Sequence, residues 1–129
     1  PEIILGEEYN SKVDVFAYAM ILYELIALYP AYEDPHSPQK FAYLQHIVEG
    51  KRPKLDDRFP EFFKELISQC WAQNPEERPP FVEILQSILT AYKNNEIFKK
   101  GEIDREYFDH YAKEALEHLN LDDIPDLDF

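Results

Sequence analysis

His110, Glu114 and His118 stand at i, i+4 and i+8, which puts an imidazole, a carboxylate and a second imidazole on one face of a helix. Such a face can ligate a metal ion. A solvated polar flank beside an apolar stripe accounts for the same spacing, and no metal site is assigned. Cys70 is the only cysteine. No histidine stands at an interpretable spacing from it, so it reads as a buried thiol, not a nucleophile, and it has no internal disulfide partner. Trp71 beside it reads as a core aromatic in preference to a ligand platform. The glycines Gly6, Gly50 and Gly101 are isolated, so no loop can turn successive amides onto a phosphate. No catalytic, cofactor-binding or metal-binding residue is assigned on this chain.

The elements around these residues are helical, and no strand pattern is present. Residues from Ser11 to about Ala27 form the expected central helix, with Ser11 as its cap and Asp14 answering as in a capping box. This stretch is apolar almost all the way round, which requires cover on several sides. Pro30 to Pro38 is a proline-rich connection holding the acidic pair Glu33 and Asp34. Ser37-Pro38 opens a helix carrying Phe41, Leu44, Ile47 and Val48, and Gly50 closes it. Pro60 opens another, with Phe62, Phe63, Leu66, Ile67, Cys70 and Trp71 on one face, and Asn74-Pro75 stops it. Pro79-Pro80 restarts a helix striped by Phe81, Ile84, Leu85, Ile88, Leu89 and Tyr92.

The composition shifts beyond Lys93. The expected organisation is a domain over residues 1–93 and a C-terminal extension over 94–129. That extension holds an amphipathic helix at about 104–119, striped by Tyr107, Phe108 and Tyr111, and an acidic tail from Leu121 to Phe129.

A chain of 129 residues with 45% hydrophobic and 15% aromatic residues can build one core. Its net charge of −13 repels polyanions and argues against nucleic acid or anionic membranes as principal partners. The longest apolar run, Val15 to Tyr23, is far short of the roughly 20 residues a membrane helix needs. A lone cysteine fits a reducing interior, so a cytoplasmic location is expected. The sequence opens on Pro1 and its one methionine is Met20, so it reads as a piece of a longer protein.

Taken in order, Pro1-Glu2, Tyr9, Lys12, Asp14-Val15-Phe16, Ile21-Leu22-Tyr23-Glu24-Leu25, Gly50-Lys51-Arg52-Pro53, Cys70-Trp71, Asn74-Pro75, Arg78-Pro79 and Phe81 form a pattern. It resembles the C-terminal part of the large lobe of the eukaryotic protein kinase fold, over about Pro1 to Tyr92. Pro1-Glu2 looks like the end of the Ala-Pro-Glu motif, inside which the fragment would begin. The block Cys-Trp, two residues, Asn-Pro, two residues, Arg-Pro, one residue, Phe resembles the tyrosine kinase and tyrosine-kinase-like (TKL) groups. Ala17-Tyr18-Ala19 departs from the family's usual Ser-Phe-Gly.

The resemblance implies a mainly α fold and a parent enzyme that moves a phosphoryl group from ATP to a protein hydroxyl, with serine/threonine favoured and ATP and magnesium as its cofactors. None of the family's phosphate-binding or catalytic motifs lies within this chain, so it is not expected to catalyse by itself. The resemblance also assigns roles. Glu2 and Arg78 would form a structural ion pair, Asp14 would support the catalytic loop, and Glu33 and Asp34 would lie on a substrate-docking surface. The expected partners are the remainder of the kinase domain and protein substrates. A pseudokinase, or a helical scaffold that binds other proteins, is the alternative.

Overall fold

The computed structural model describes residues 1–32, 42–94, 96, 97 and 110, and the described residues hold helices and no strand. In chain order the helices are α1 (Glu2–Leu5), α2 (Lys12–Ala27), α3 (Ala42–Val48), α4 (Glu61–Cys70) and α5 (Phe81–Lys93), with a 3₁₀ turn at Pro75–Glu77 before α5. The fold is mainly α. The chain divides into two compact units, Pro1–Phe81 and Val82–Phe129. No helix among the described residues is long and apolar enough to cross a membrane.

The core of the first unit is built where α2 crosses α4. Val15, Ala19, Tyr23 and Ala27 recur every fourth residue along α2 and are all buried, as are Leu66, Ile67 and Cys70 of α4. Two small alanines on that stripe let the helices approach, and aromatics fill the ends. The Tyr23 ring stacks on Phe59 at 5.2 Å and lies 6.0 Å from Trp71. Phe59, at 2% exposure, is a core residue outside the expected apolar stripes. Its only signal is an aromatic next to the helix-opening Pro60. Cys70 is fully buried, and burial pushes its thiol up to about 11, which leaves it protonated and unreactive.

The start of α2 differs from the expected capping box. Ser11 has helical dihedrals (φ −58°, ψ −11°) and its side chain caps nothing. The oxygen that reaches the helix start belongs to Asn10, whose Oδ1 accepts from the Lys12 amide at 2.9 Å. A cap needs the chain to enter from an extended residue, and Ser11 is already inside the turn. Among the described residues, the cover that an all-round apolar α2 requires is present on the α4 side and missing opposite it. Ile21 and Leu25 are 58% and 68% exposed, and with Asp14 and Ala17 they form an uncovered stripe opposite the α4 contact.

The ends of the short helices are set by glycine. Gly6 and Gly50 have φ of +71° and +76°, and each closes its helix by paired bonds to carbonyls in the last turn. The closing role expected of Gly50 is therefore seen, while α1 and its Gly6 stop were not expected. Of the α5 stripe, Ile84 is buried and Leu85, Ile88, Leu89 and Tyr92 are half-buried. Phe81 departs from it: 46% exposed, its ring meets Tyr18 edge-on at 5.8 Å. Ala91 and Ile97 are the other buried residues of the second unit among those described. The helix expected at about 104–119 and the acidic tail lie outside the described residues, His110 excepted, and so do Ser37-Pro38 and Phe41.

Truncation separates the two faces of the first unit. Ile67→Ala removes a side chain with no exposure and should cost about 2–5 kcal/mol in denaturant unfolding. Leu25→Ala should stay within about 0.5 kcal/mol, while Leu25→Lys should reduce self-association in sedimentation velocity. Equal losses at the two positions would mean that the uncovered stripe is packed in solution.

Candidate functional site

Among the described residues Arg78 is the largest fully buried side chain, at 1% exposure. A guanidinium there must place five N–H donors and a full charge, and the chain around it is shaped to do so. Asn74 is extended, and its Oδ1 accepts from the Glu76 amide at 3.1 Å, while Pro75 fills the first position of the 3₁₀ turn. Arg78 then returns to the extended region (φ −78°, ψ 132°), where Pro79 keeps it. Its direction is thus fixed by local sequence before any partner is met.

Five acceptor contacts follow. Nη1 donates to Glu2 Oε1 at 2.7 Å and to the Lys12 carbonyl at 2.9 Å. Nη2 donates to Glu2 Oε2 at 3.0 Å and, more weakly, to the Gln73 carbonyl at 3.4 Å. Nε donates to the Ala72 carbonyl at 2.9 Å. The pair with Glu2 is bidentate, a geometry a planar fork supplies and an ammonium does not. Lys12 returns the contact, its Nζ donating to the Arg78 carbonyl. Glu2 is 3% exposed, and the hydrogen bonds from Arg78 hold its carboxyl at about 2, against an ordinary 4.5. Phe16 sits beside this cluster, with the Arg78 and Arg52 guanidinium carbons 5.1 Å and 4.9 Å from its ring centroid.

The structure therefore joins Glu2 and Arg78, 76 residues apart in sequence. Asp14 stands apart from them, exposed in the first turn of α2 at the head of the uncovered stripe. Glu33 and Asp34 lie outside the described residues, as do Glu114 and His118. In the sequence Arg52 stands out only as part of the Gly50-Lys51-Arg52-Pro53 motif. Here it donates to the Trp71 carbonyl at 3.0 Å and to Gln73 Oε1 at 2.7 Å. Nothing in the polar, aperiodic stretch from Lys51 to Arg58 signals that role.

The chemistry of this cluster is structural. Its carboxylate is spent on Arg78, and Gly6 and Gly50 are committed to helix ends. Among the described residues no three of His, Cys, Asp and Glu converge to hold a metal ion. The described residues of this cluster do not fit ATP with magnesium.

A family model described as protein tyrosine and serine/threonine kinase matches residues 1–88. The chain belongs to the protein kinase family. Both halves of the Glu2–Arg78 cluster fall inside that match. A probable serine/threonine-protein kinase of Dictyostelium discoideum is 40% identical over 94 residues, covering 71% of this chain and 7% of that protein. The dual specificity protein kinase shkB of the same organism is 36% identical over 99 residues, covering 69% of this chain and 14% of that protein. The serine/threonine-protein kinase VIK of Arabidopsis thaliana is 37% identical over 90 residues, covering 68% and 20%. The chain thus spans a fifth or less of the length of these relatives. In fold it is similar to a cryo-EM structure of the AtMLKL3 tetramer, with a TM-score of 0.59 over 92% of this chain and 23% of that one at 24% identity.

Two measurements probe the cluster. In a kinase domain containing this chain, Glu2→Ala and Arg78→Ala should each cost roughly 3–5 kcal/mol, because each strands a buried charge. The double variant should cost far less than their sum, and Arg78→Lys should recover only part. Additive losses would mean that the two groups do not interact. Acid unfolding gives the second. The Glu2 pKa is depressed on folding, so its stabilisation is complete above the unfolded value near 4.5 and is lost as pH falls towards about 2. The stability gap between wild type and Glu2→Gln should therefore close across that interval, and a constant gap would contradict the pairing.

Proposed function

We propose that this chain is the C-terminal part of the large lobe of an ATP-dependent serine/threonine kinase of the TKL group. In this reading it supports the catalytic loop, offers a surface for protein substrates, and does no chemistry alone. The observation that carries the proposal is the asymmetry of α2. Its sequence is apolar almost all the way round, yet among the described residues α2 buries Phe16 and the stripe through Val15, Ala19, Tyr23 and Ala27. The opposite stripe, headed by Asp14, is left for the remainder of the kinase domain, where the Asp14 carboxylate accepts hydrogen bonds from the catalytic-loop backbone.

The serine/threonine assignment is supported by the names of the relatives, and the TKL assignment by the spacing from Cys70 through Asn74-Pro75 and Arg78-Pro79 to Phe81. ATP and magnesium are held by residues outside this chain. In this reading Glu33 and Asp34 belong to the substrate-docking surface, and their charge favours basic substrates. A cytoplasmic location accords with the lone buried thiol. The rival reading, a pseudokinase or scaffold, draws on Ala17-Tyr18-Ala19 in place of Ser-Phe-Gly.

Asp14→Ala in a complete kinase domain containing this chain tests the proposal. The residue is exposed here, so the isolated chain should lose under about 0.5 kcal/mol. The domain's kcat should fall on the order of 10²-fold, through a misplaced catalytic loop. Unchanged kcat would remove the role of Asp14. A wild-type domain that transfers no phosphate would decide for the pseudokinase.

A further inference from the structure

Leu28 ends α2 in the left-handed region, with φ 55° and ψ 31°, and among the described residues no other non-glycine has a positive φ. A leucine Cβ crowds the following carbonyl oxygen there, so the conformation suits glycine and, less well, asparagine. The turn is nonetheless fixed from several sides. The Leu28 amide donates to the Glu24 carbonyl at 2.9 Å, and the Glu24 carboxylate accepts from the Ala31 amide at 2.9 Å. Arg58, paired with Asp56, donates from Nη1 to the Ala27 carbonyl at 3.3 Å. A strained residue persists where its surroundings over-determine it in this way.

None of those bonds uses the leucine side chain. That side chain is 89% exposed, the highest value for a large apolar residue among those described. Leucine therefore carries two penalties at this position, a strained backbone and an apolar group in water, where glycine would carry neither. Its spacing shows what the side chain belongs to. Leu28 follows Ile21 by seven residues and Leu25 by three, so it continues the uncovered stripe of α2 past the last helical turn. Tyr29, 47% exposed, extends the apolar surface further. Glu24, the one charged residue between Val15 and Tyr29, is turned back onto the Ala31 amide, so no charge interrupts the stripe.

We propose that Leu28 is an anchor residue, buried in the complete protein under the same part of the kinase domain that covers Ile21 and Leu25. The proposal rests on the reading of the α2 stripe given under Proposed function. It adds that the cover reaches beyond the helix end and that the left-handed turn is kept for the leucine it presents. The chain spans a fifth or less of the length of the relatives quoted above. A surface continuous with Ile21 and Leu25 takes the occupant that they take.

One substitution in two settings tests the anchor. Leu28→Asn keeps a residue that tolerates the left-handed turn and removes the apolar side chain. In the 129-residue chain it should lower the unfolding equilibrium constant about threefold, by relief of strain. In a complete kinase domain containing this chain it should raise that constant about tenfold, because the lost burial outweighs the relief. Leu28→Met keeps both the strain and the apolar volume, and should leave both constants near wild type. A gain in stability from Leu28→Asn in both settings would overturn the anchor. Hydroxyl-radical footprinting gives a readout independent of stability: Leu28 should be labelled in the 129-residue chain and protected in the complete domain, and equal labelling would overturn the proposal. Leu25→Asn separates the anchor from the reading beneath it. A complete domain destabilised by Leu25→Asn but not by Leu28→Asn would overturn the anchor alone. A domain indifferent to both would remove the covered stripe and the anchor with it. A dimer of the complete domain that Leu28→Asn dissolves in sedimentation velocity would assign the leucine to a second copy, and would overturn the proposal as well.

Discussion

A guanidinium in an apolar interior carries a full charge and five N–H groups, and the first unit is arranged around meeting those demands for Arg78. The acceptors come from Glu2 on α1, from the backbone where α2 begins, and from the two residues that follow Trp71. Three chain segments must meet at one point for the charge to be tolerated. Lose one, and the desolvation cost of the others is left without an offset. The position of α1 is therefore not an independent choice. A four-residue helix with exposed Ile3, Ile4 and Leu5 has little burial of its own, and Glu2 is what anchors it.

The two arginines around Phe16 divide the work. Arg78 is wholly buried and satisfied by a bidentate carboxylate and three backbone carbonyls, so it is a fixed point. Arg52 is half-buried and satisfied by carbonyls and an amide, each contributing on the order of 1 kcal/mol. That set holds a short helix in place without a carboxylate, and because Arg52 is a half-buried cation, losing those acceptors leaves its charge partly unmet. The same ring touches both, so the aromatic at position 16 serves the core and the polar cluster together.

Helix α2 shows how a fragment of a fold differs from a self-sufficient domain. Its α4-facing stripe has the features of a finished core, with alanines for close approach and Tyr23 stacked on Phe59. Its other stripe leaves Ile21 and Leu25 in water. Contiguous exposed apolar surface of this kind costs free energy unless something covers it. Under the proposed function, the rest of the kinase domain covers that face.

Much of the helical architecture was legible from local rules. Gly50 marks the end of α3 and apolar spacing marks the buried faces of α4 and α5, while α4 stops at Cys70, a turn before the Asn74-Pro75 expected to end it. Those features depend on residues within a turn or two of each other, which is the range over which sequence acts directly. The cap of α2 was misread by one position because serine and asparagine offer the same kind of oxygen, and only the backbone dihedrals decide which stands outside the helix. Phe59, the α1 turn and the roles of Arg52 and Gln73 were not legible, since their partners are set by tertiary packing. The ordered motifs pointed to Glu2 and Arg78 by family resemblance, but no local rule could bring residues 76 apart together. What the sequence determined by itself is where helices start and stop and which faces are apolar. What only the tertiary structure decided is which face is covered and which carbonyl each arginine finds, because a hydrogen bond is a matter of tenths of an ångström between distant segments.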